Sequence, residues 1–222
     1  MKNLNWALLC AMAALWACQK EPSNPTLLFD NYSNLATGNY WVYEQYLLDS
    51  SGVYTPRNQT DSNYVEKDTL IDGRSYFKLQ VVVAGAPPNV YQAVFLRDSL
   101  HYLVDASGRI LFSSQNTTDT LDARHFVVQL SHNPPTQDTV AYISGKMQPN
   151  DETVQVPAGA FVTKNFRETY QMWPKYSAGG PVRYLQHRYA KNVGLVEETM
   201  GFYVGDASGK YLVRRLKRHG KK

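Results

Sequence analysis

The feature that most constrains the fold is an alternation of apolar and polar residues with a period of two. In the segment 126–130, for example, Phe126, Val128 and Leu130 fall on one face, while Val127 and Gln129 fall on the other. Successive side chains of a β-strand point to opposite faces, so this period predicts strands. The 3.6-residue period of an amphipathic helix is not evident in the body of the chain. The sequence therefore predicts an all-β fold.

The same pattern predicts a series of strands along the chain. They cover residues 40–48, 64–70, 75–83, 91–97, 100–104, 110–113, 126–130, 139–144, 152–156, 161–170, 183–190, 194–200 and 211–216. These segments are rich in Tyr, Val, Thr and Phe, which suit a half-buried pleated surface. Only 24–34 and the region around 170–176 leave room for one short helix.

Three short phrases of similar sequence predict the turns between strands. Residues 49–52 read Asp-Ser-Ser-Gly, and residues 105–108 and 206–209 both read Asp-Ala-Ser-Gly. Asp accepts hydrogen bonds from the backbone of a turn, and Gly adopts the positive φ that rejoins the next strand. The Ile-Asp-Gly-Arg segment at 71–74 predicts a fourth hairpin. Strands joined by such tight turns form an antiparallel sheet.

The N-terminus predicts export and a lipid anchor. Residues 1–17 have one charge, followed by eleven apolar residues, which is too short for a membrane span and typical of a cleaved signal peptide. The Leu-Trp-Ala-Cys sequence at 15–18 resembles the bacterial lipobox, which makes Cys18 the expected site of lipidation. Cys10 would leave with the signal, so the mature chain would hold no intramolecular disulfide. The acyl chains would bind the protein to a membrane.

The remaining chain divides into a tether, a domain and a tail. Residues 18–25, with two prolines, predict a lipidated tether; residues 26–216 predict a single β domain; residues 217–222 predict a basic tail. Six of the 23 Lys and Arg lie in residues 214–222, without an Asp or Glu, so the net charge of +4 is concentrated at the C-terminus. We expect this basic end to contact anionic lipid headgroups or solvent. A basic stripe on the body, which nucleic-acid binding requires, is missing.

Three segments resemble small uncharacterised lipoproteins of the Bacteroidota type. They read Gly-Asn-Tyr-Trp-Val-Tyr at 38–43, Val-Pro-Ala-Gly-Ala-Phe at 156–161 and Tyr-Ala-Lys-Asn-Val-Gly-Leu-Val-Glu at 189–197. Ala160 and Asn192 depart from the usual Thr and Gly of that family. The resemblance implies a strongly curved antiparallel sheet or a partly open barrel behind a lipid anchor, in the cell envelope at the outer membrane. It implies no catalytic residues, and the residue types of these segments also suit turns and strand edges.

The sequence offers no catalytic or metal-binding pattern. His101, His125, His132, His187 and His219 lack the spacing of metal ligands, and phosphate loops and nucleophile elbows are missing as well. Asp119 and Asp122 could form a carboxylate pair, but we expect both in a solvated loop over 113–122. We therefore expect no metal and no cofactor.

The surplus of 16 tyrosines is the remaining functional signal. Aromatic side chains with a polar tip suit glycan stacking or protein contacts, so we select Trp41, Tyr43, Trp173 and Tyr189 as candidate ligand or partner contacts. The same residues would also suit a half-exposed sheet. We expect a non-enzymatic binding or structural module with an envelope protein, a glycan or a lipophile as partner. A carrier holding a lipophile inside an open barrel is the alternative, and a hydrolase with unfamiliar chemistry is the third hypothesis.

Overall fold

The computed structural model describes residues 29–82, 90–132 and 134–222, and these form 13 antiparallel strands. The predicted signal peptide, Cys18 and the tether lie outside the described residues. The strands are β1 (Asn39–Leu48), β2 (Tyr54–Ile71), β3 (Arg74–Val82), β4 (Tyr91–Ser99), β5 (Tyr102–Asp105), β6 (Ile110–Ser113), β7 (Asp122–His132), β8 (Pro135–Met147), β9 (Glu152–Val156), β10 (Gly159–Met172), β11 (Val182–Ala190), β12 (Gly194–Phe202) and β13 (Tyr211–Lys221). A single turn of 3-10 helix covers Pro174–Tyr176.

All 13 strands belong to one sheet, in the order β6-β5-β4-β3-β2-β1-β13-β12-β11-β10-β8-β7. The first and last strands of the described sheet, β1 and β13, are neighbours at its centre. Strand β10 is long enough to pair with β9 along its first half and with β8 along its second half. The sheet curves until β6 approaches the opposite end, where the Ser113 amide lies 3.4 Å from Met147 Sδ. The predicted all-β fold, a strongly curved antiparallel sheet or partly open barrel, is confirmed, and the sheet is nearly closed.

The turn chemistry is also confirmed. Asp49, Asp105 and Asp206 each accept, through Oδ1, a hydrogen bond from the backbone amide of the serine two residues later, at 2.8–2.9 Å. The glycine that ends each phrase has a φ between +66° and +87°. Asn192 adopts φ +61° in the β11–β12 hairpin, which explains how it replaces a glycine there.

Several strands are longer than predicted, and two of them extend furthest past a predicted end. Residues 217–222 were expected to form a tail, but β13 continues to Lys221 and pairs with β1 as far as Asn39. Strand β2 was expected at 64–70, but it begins at Tyr54 and pairs with β1 through a largely polar stretch. Both extensions have the same cause: backbone hydrogen bonds pair strands whatever their side chains, so a polar or basic stretch can continue a strand beside a suitable neighbour.

The inner face of the curved sheet contains most of the core. Trp41, Tyr43, Val196 and Leu216 form its centre and are at most 4% exposed. A second cluster around Phe112 and the side chains opposite fills the space between β6 and β10. A third cluster lies around Val140, Ala141 and Met172. The inner face is therefore packed with side chains over much of its area.

Candidate functional site

Five ionisable side chains lie across the inner face and form what we call the charged row. They are Glu168 on β10, His187 on β11, Glu198 on β12, Arg214 on β13 and Asp61 on β2. The strand register explains their common orientation: His187 is opposite Glu198, and Glu198 is opposite Arg214. Side chains that lie directly opposite each other on paired strands point to the same face.

Each member of the charged row contacts a group of opposite charge. His187 lies between two carboxylates, with Nε2 3.9 Å from Glu168 and Nδ1 3.3 Å from Glu198. The Arg214 guanidinium donates to Glu198 at 2.6 Å and to Asp61 at 3.1 Å, and it lies over the Tyr43 ring. Cations and anions therefore alternate across the sheet, and each is neutralised by its neighbours.

Two arginines extend the charged row to the seam between the ends of the sheet. Arg109, just before β6, donates to both Asp122 on β7 and Glu168 on β10, and Arg124 on β7 contacts the same two carboxylates. Asp122 was expected in a solvated loop, but it begins β7 and lies on the inner face. These bonds connect the edge strand β6 to β7 and β10, so they hold the seam together. A pocket of about 220 Å³ opens beside them.

The ion pairs displace the pKa values of the charged row away from neutrality. Burial alone would lower the pKa of His187, but its contacts with Glu168 and Glu198 raise it to about 9. Burial alone would raise the pKa of both carboxyls. His187 and Arg124 nevertheless hold the pKa of Glu168 at about 2, and Arg214 and His187 do the same for Glu198. At pH 7 all three groups are therefore charged.

A second region combines a pocket with a carboxylate that forms no ion pair with any described residue. This N-terminal pocket, of about 260 Å³, lies between the segment 29–33 and the β4–β6 end of the sheet. Its lining consists of Phe29, Asp30, Asn31, Tyr32, Ser33, Asp98, Leu100, His101, Tyr102, Leu103, Phe112 and Ser114. The Ser33 hydroxyl donates to Asp98 Oδ2 at 2.7 Å. Burial raises the pKa of Asp98, and the Ser33 hydroxyl opposes this rise.

A third pocket, of about 320 Å³, lies against β1 and β2. Its lining is mainly polar and consists of Glu44, Gln45, Tyr46, Pro56, Asn58, Gln59, Thr60 and Lys217. Glu44 and Lys217 pair with each other at 2.7 Å. The charges in this lining therefore neutralise each other, unlike those of the N-terminal pocket.

The structure places the four candidate contact residues in different environments. Trp41 and Tyr43 are buried in the core, where each donates to a backbone carbonyl of the β11–β12 region, at Val193 and Leu195. Tyr189 is buried between Phe112 and the pocket of about 220 Å³ beside the seam. Trp173 is 45% exposed, just before the 3-10 helix. The four therefore do not form one surface, and their role as contacts stays a prediction.

Sequence reasoning missed the charged row because its members are distant in the chain. The sequence feature that could have revealed it is a charged residue at an inward-facing position of an alternating strand. Arg214, which lies between Leu212 and Leu216, is an example. Within the described residues, no group of three or more His, Cys, Asp or Glu could hold a metal ion. No helix in that part of the chain is both long and apolar enough to cross a membrane.

Comparison with known proteins adds two structures of similar shape. No protein-family model and no curated protein matches the sequence. A Bacteroides fragilis protein described as exported, with a YmcC-like fold, is 15% identical and has a TM-score of 0.47. A Parabacteroides distasonis protein described as a lipoprotein is 12% identical, with a TM-score of 0.48. Each match covers 87% of this chain and 100% of the other. Neither likeness carries an argument about function or site residues.

Proposed function

We propose that this protein is a lipid-anchored binding module of the bacterial cell envelope, at the outer membrane, and that it performs no catalysis. The N-terminal sequence supports the anchor: a short apolar signal ends directly before Cys18. The three segments that resemble Bacteroidota-type lipoproteins support the same assignment. Residues 19–28 then separate the acylated cysteine from Phe29, so the domain would stay within about 36 Å of the membrane surface.

The pairing within the charged row is the observation that carries the non-catalytic part of the proposal. A general acid or base works best when its pKa lies near the working pH. The pKa of His187 is about 9, and those of Glu168 and Glu198 are about 2. These groups are therefore charged near pH 7 and neutralise one another, which supports a role in holding the strands together.

A serine–histidine contact elsewhere does not favour a hydrolase. The Ser113 Oγ lies 2.8 Å from His101 Nδ1, a composition that suits a nucleophile and its base. Ser113 is 0% exposed, however, and its oxygen also accepts from the backbone amides of Gln115 and Asn116. The hydroxyl is thus part of the turn after β6, where substrate has no access to it.

The N-terminal pocket supports binding over a purely structural role. It is open to solvent, and its lining combines aromatic residues with Asp98, a carboxylate that forms no ion pair with any described residue. The alternative function, a carrier of a lipid or other lipophile, requires a larger apolar space. Trp41, Tyr43 and the charged row occupy the inner face, where a barrel-type carrier holds its ligand. An envelope protein and a glycan therefore remain candidate partners, the N-terminal pocket adds a small polar ligand, and the carrier of a lipophile is the weaker proposal.

Metabolic labelling with a palmitate analogue, followed by membrane fractionation, tests the anchor. Wild-type protein should be labelled and should sediment with membranes, whereas Cys18→Ala should do neither. Cys10→Ala is the matched control, because Cys10 lies within the predicted signal and its loss should change nothing. Labelled, membrane-bound Cys18→Ala protein would contradict the proposal. Protease treatment of intact cells then distinguishes the surface face from the periplasmic face.

The absence of catalysis has a separate test. Purified protein is incubated with panels of ester, glycoside, peptide and phosphoester substrates, and His187→Gln serves as the comparison. We expect no turnover above background for either protein. Turnover by the wild type that His187→Gln abolishes would overturn the non-enzymatic assignment and place a reaction at the charged row.

A further inference from the structure

We propose that the N-terminal pocket binds the ammonium group of a small organic cation, with Asp98 as its counter-ion. The inference starts from the charges of the lining. Two carboxylates, Asp30 and Asp98, belong to it, and among the residues that the structure describes neither Lys nor Arg lines it. Asp30 is already paired with Lys191 at 2.6 Å, at the edge of the pocket. Asp98 is therefore the carboxylate that a ligand can neutralise.

Asp98 lacks the cation partners that the buried carboxylates of the charged row have. Among the described residues no Lys, Arg or His forms an ion pair with it, and its one side-chain hydrogen bond comes from the Ser33 hydroxyl. Asp98 is exposed within the pocket, so its carboxylate is accessible, and an ammonium group would form a charge-assisted hydrogen bond with it. Desolvation by the neighbouring protein atoms raises the pKa of Asp98.

His101 also lines the pocket, and its Nδ1 lies 2.8 Å from the Ser113 Oγ. The ring packs against Phe29 and Tyr102, at centroid distances of 5.8 and 3.9 Å.

Four aromatic residues share the pocket lining with Asp98, and aromatic residues favour a cation. Phe29, Tyr32, Tyr102 and Phe112 all belong to the lining. The faces of such rings attract ammonium groups, by about 0.5–2 kcal/mol per contact. A carboxylate with aromatic neighbours thus recognises an organic cation better than it does an anion or a neutral polyol, which gain no such interaction. The volume of about 260 Å³ limits the ligand to a small one.

Two further features mark the pocket as a site. Leu100, in the β4–β5 turn, is 67% exposed and has a φ of +57°, a strained conformation for leucine. The Ser114 hydroxyl is buried without a hydrogen-bond partner among the described residues. A ligand would explain both features, because it would pack on the Leu100 side chain at the edge of the pocket and hydrogen-bond to the Ser114 hydroxyl in its wall.

The test compares three probes that share one ring and differ in charge. Cyclohexylamine, cyclohexanol and cyclohexanecarboxylate are titrated into the purified full chain carrying Cys18→Ser, by NMR chemical-shift perturbation at pH 7. We expect cyclohexylamine to bind at least tenfold more tightly than the other two and to shift the signals of Leu100 and His101. Equal binding of all three probes, or tighter binding of the anion, would overturn the proposal.

Variants locate the interaction at Asp98. Asp98→Asn should weaken cyclohexylamine binding about tenfold, the loss expected for one charge-assisted hydrogen bond. Asp68→Asn is the matched control, because Asp68 is exposed on β2 and does not line the pocket. Leu100→Gly should weaken binding while it relieves the strained turn and keeps the protein folded. Unchanged binding in Asp98→Asn would contradict the assignment, since this variant should fold.

Vesicles distinguish a lipid headgroup from a soluble amine as the source of the ammonium group. The Cys18→Ser chain is sedimented with phosphatidylethanolamine vesicles and, separately, with phosphatidylglycerol vesicles. Asp98-dependent binding to phosphatidylethanolamine assigns the site to a headgroup, whereas Asp98-dependent binding of cyclohexylamine alone assigns it to a soluble amine. Absence of both would refute the proposal and leave the lipid anchor, which is tested by labelling, unaffected.

Discussion

The charged row and the N-terminal pocket both contain carboxylates, but these differ in exposure and in their partners. In the charged row Asp61, Glu168 and Glu198 each contact a buried or half-buried cation. In the N-terminal pocket, the one side-chain hydrogen bond of Asp98 within the described part of the chain comes from the Ser33 hydroxyl. A buried carboxylate that is paired with a cation within the protein contributes to the fold, whereas an exposed carboxylate without a cation is free to pair with a ligand. The difference separates a structural network from a candidate site.

The largest expected effect comes from breaking the charged row at its centre. Arg214→Met leaves Glu198 and Asp61 buried without their shared cation, so we expect the free energy of unfolding to fall by about 3–5 kcal/mol. Lys217→Met, on the same strand, removes an exposed pair with Glu44 and should cost about 0–1 kcal/mol. Urea denaturation measures both. Similar losses in the two variants would show that the buried row has no special role.

The pH dependence of stability gives the next largest effect. The pKa of His187 is raised from 6.5 to about 9 in the folded protein, so its contribution is complete below pH 6.5 and is lost as the pH rises through 9. Those of Glu168 and Glu198 are lowered from 4.5 to about 2, so their contribution is complete above pH 4.5 and is lost as the pH falls through 2. Stability should therefore be greatest between pH 4.5 and 6.5.

His187→Gln isolates the alkaline part of this profile. The variant should lose roughly 1–3 kcal/mol at pH 6 and much less at pH 10, where the wild-type imidazole is neutral. Urea midpoints measured from pH 5 to 10 give the comparison. An equal loss at both pH values would mean that His187 contributes by packing and not by charge.

A smaller and local effect is expected at the seam. Arg109→Met removes the bonds from the β6 side to Asp122 and Glu168, but Arg124 still contacts both carboxylates. We expect a loss of about 1 kcal/mol, together with faster amide hydrogen exchange in β6 than in β13. Exchange that accelerates equally in both strands would indicate that the seam does not open separately from the rest of the sheet.

The smallest effect on stability is expected in the N-terminal pocket, where a substitution can be compared directly with the same substitution in the charged row. Asp98→Asn removes a charge that has no cation partner, so stability should stay within about 1 kcal/mol of the wild type or rise. Asp61→Asn, the same substitution in the charged row, should cost about 2–3 kcal/mol because Asp61 accepts from Arg214 and Gln45. Thermal unfolding of the two variants tests this order. A larger loss for Asp98→Asn would make Asp98 a structural residue.

Local features of the fold were predictable, and those that depend on distant partners were not. The turns at Asp49, Asp105 and Asp206 follow from hydrogen bonds within five residues, so their sequences were sufficient to place them. The start of β2 and the end of β13 depend on the backbone of β1. Their polar and basic side chains gave no alternation from which to recognise a strand.

The charged row and the N-terminal pocket likewise depend on partners that are distant in the chain. Glu168 and Arg214 are 46 positions apart in the chain, and their common orientation follows from the register of four strands, which the sequence does not state. The N-terminal pocket requires the segment 29–33 to fold back on the β4–β6 end of the sheet. The tyrosine and tryptophan content predicts that aromatic residues contact a ligand or partner. It did not distinguish Trp41, which packs the core, from Tyr102, which lines a pocket.

An NMR pH titration of the histidine rings and carboxyl groups tests the central contrast most directly, because it reads both regions in one sample. The account predicts that His187 titrates near pH 9 and Glu198 near pH 2, while the pKa of Asp98 lies above its usual value of 3.8. A pKa near 6.5 for His187, together with a pKa at or below 3.8 for Asp98, would contradict it. The row would then be unpaired in solution, and Asp98 would already have its cation.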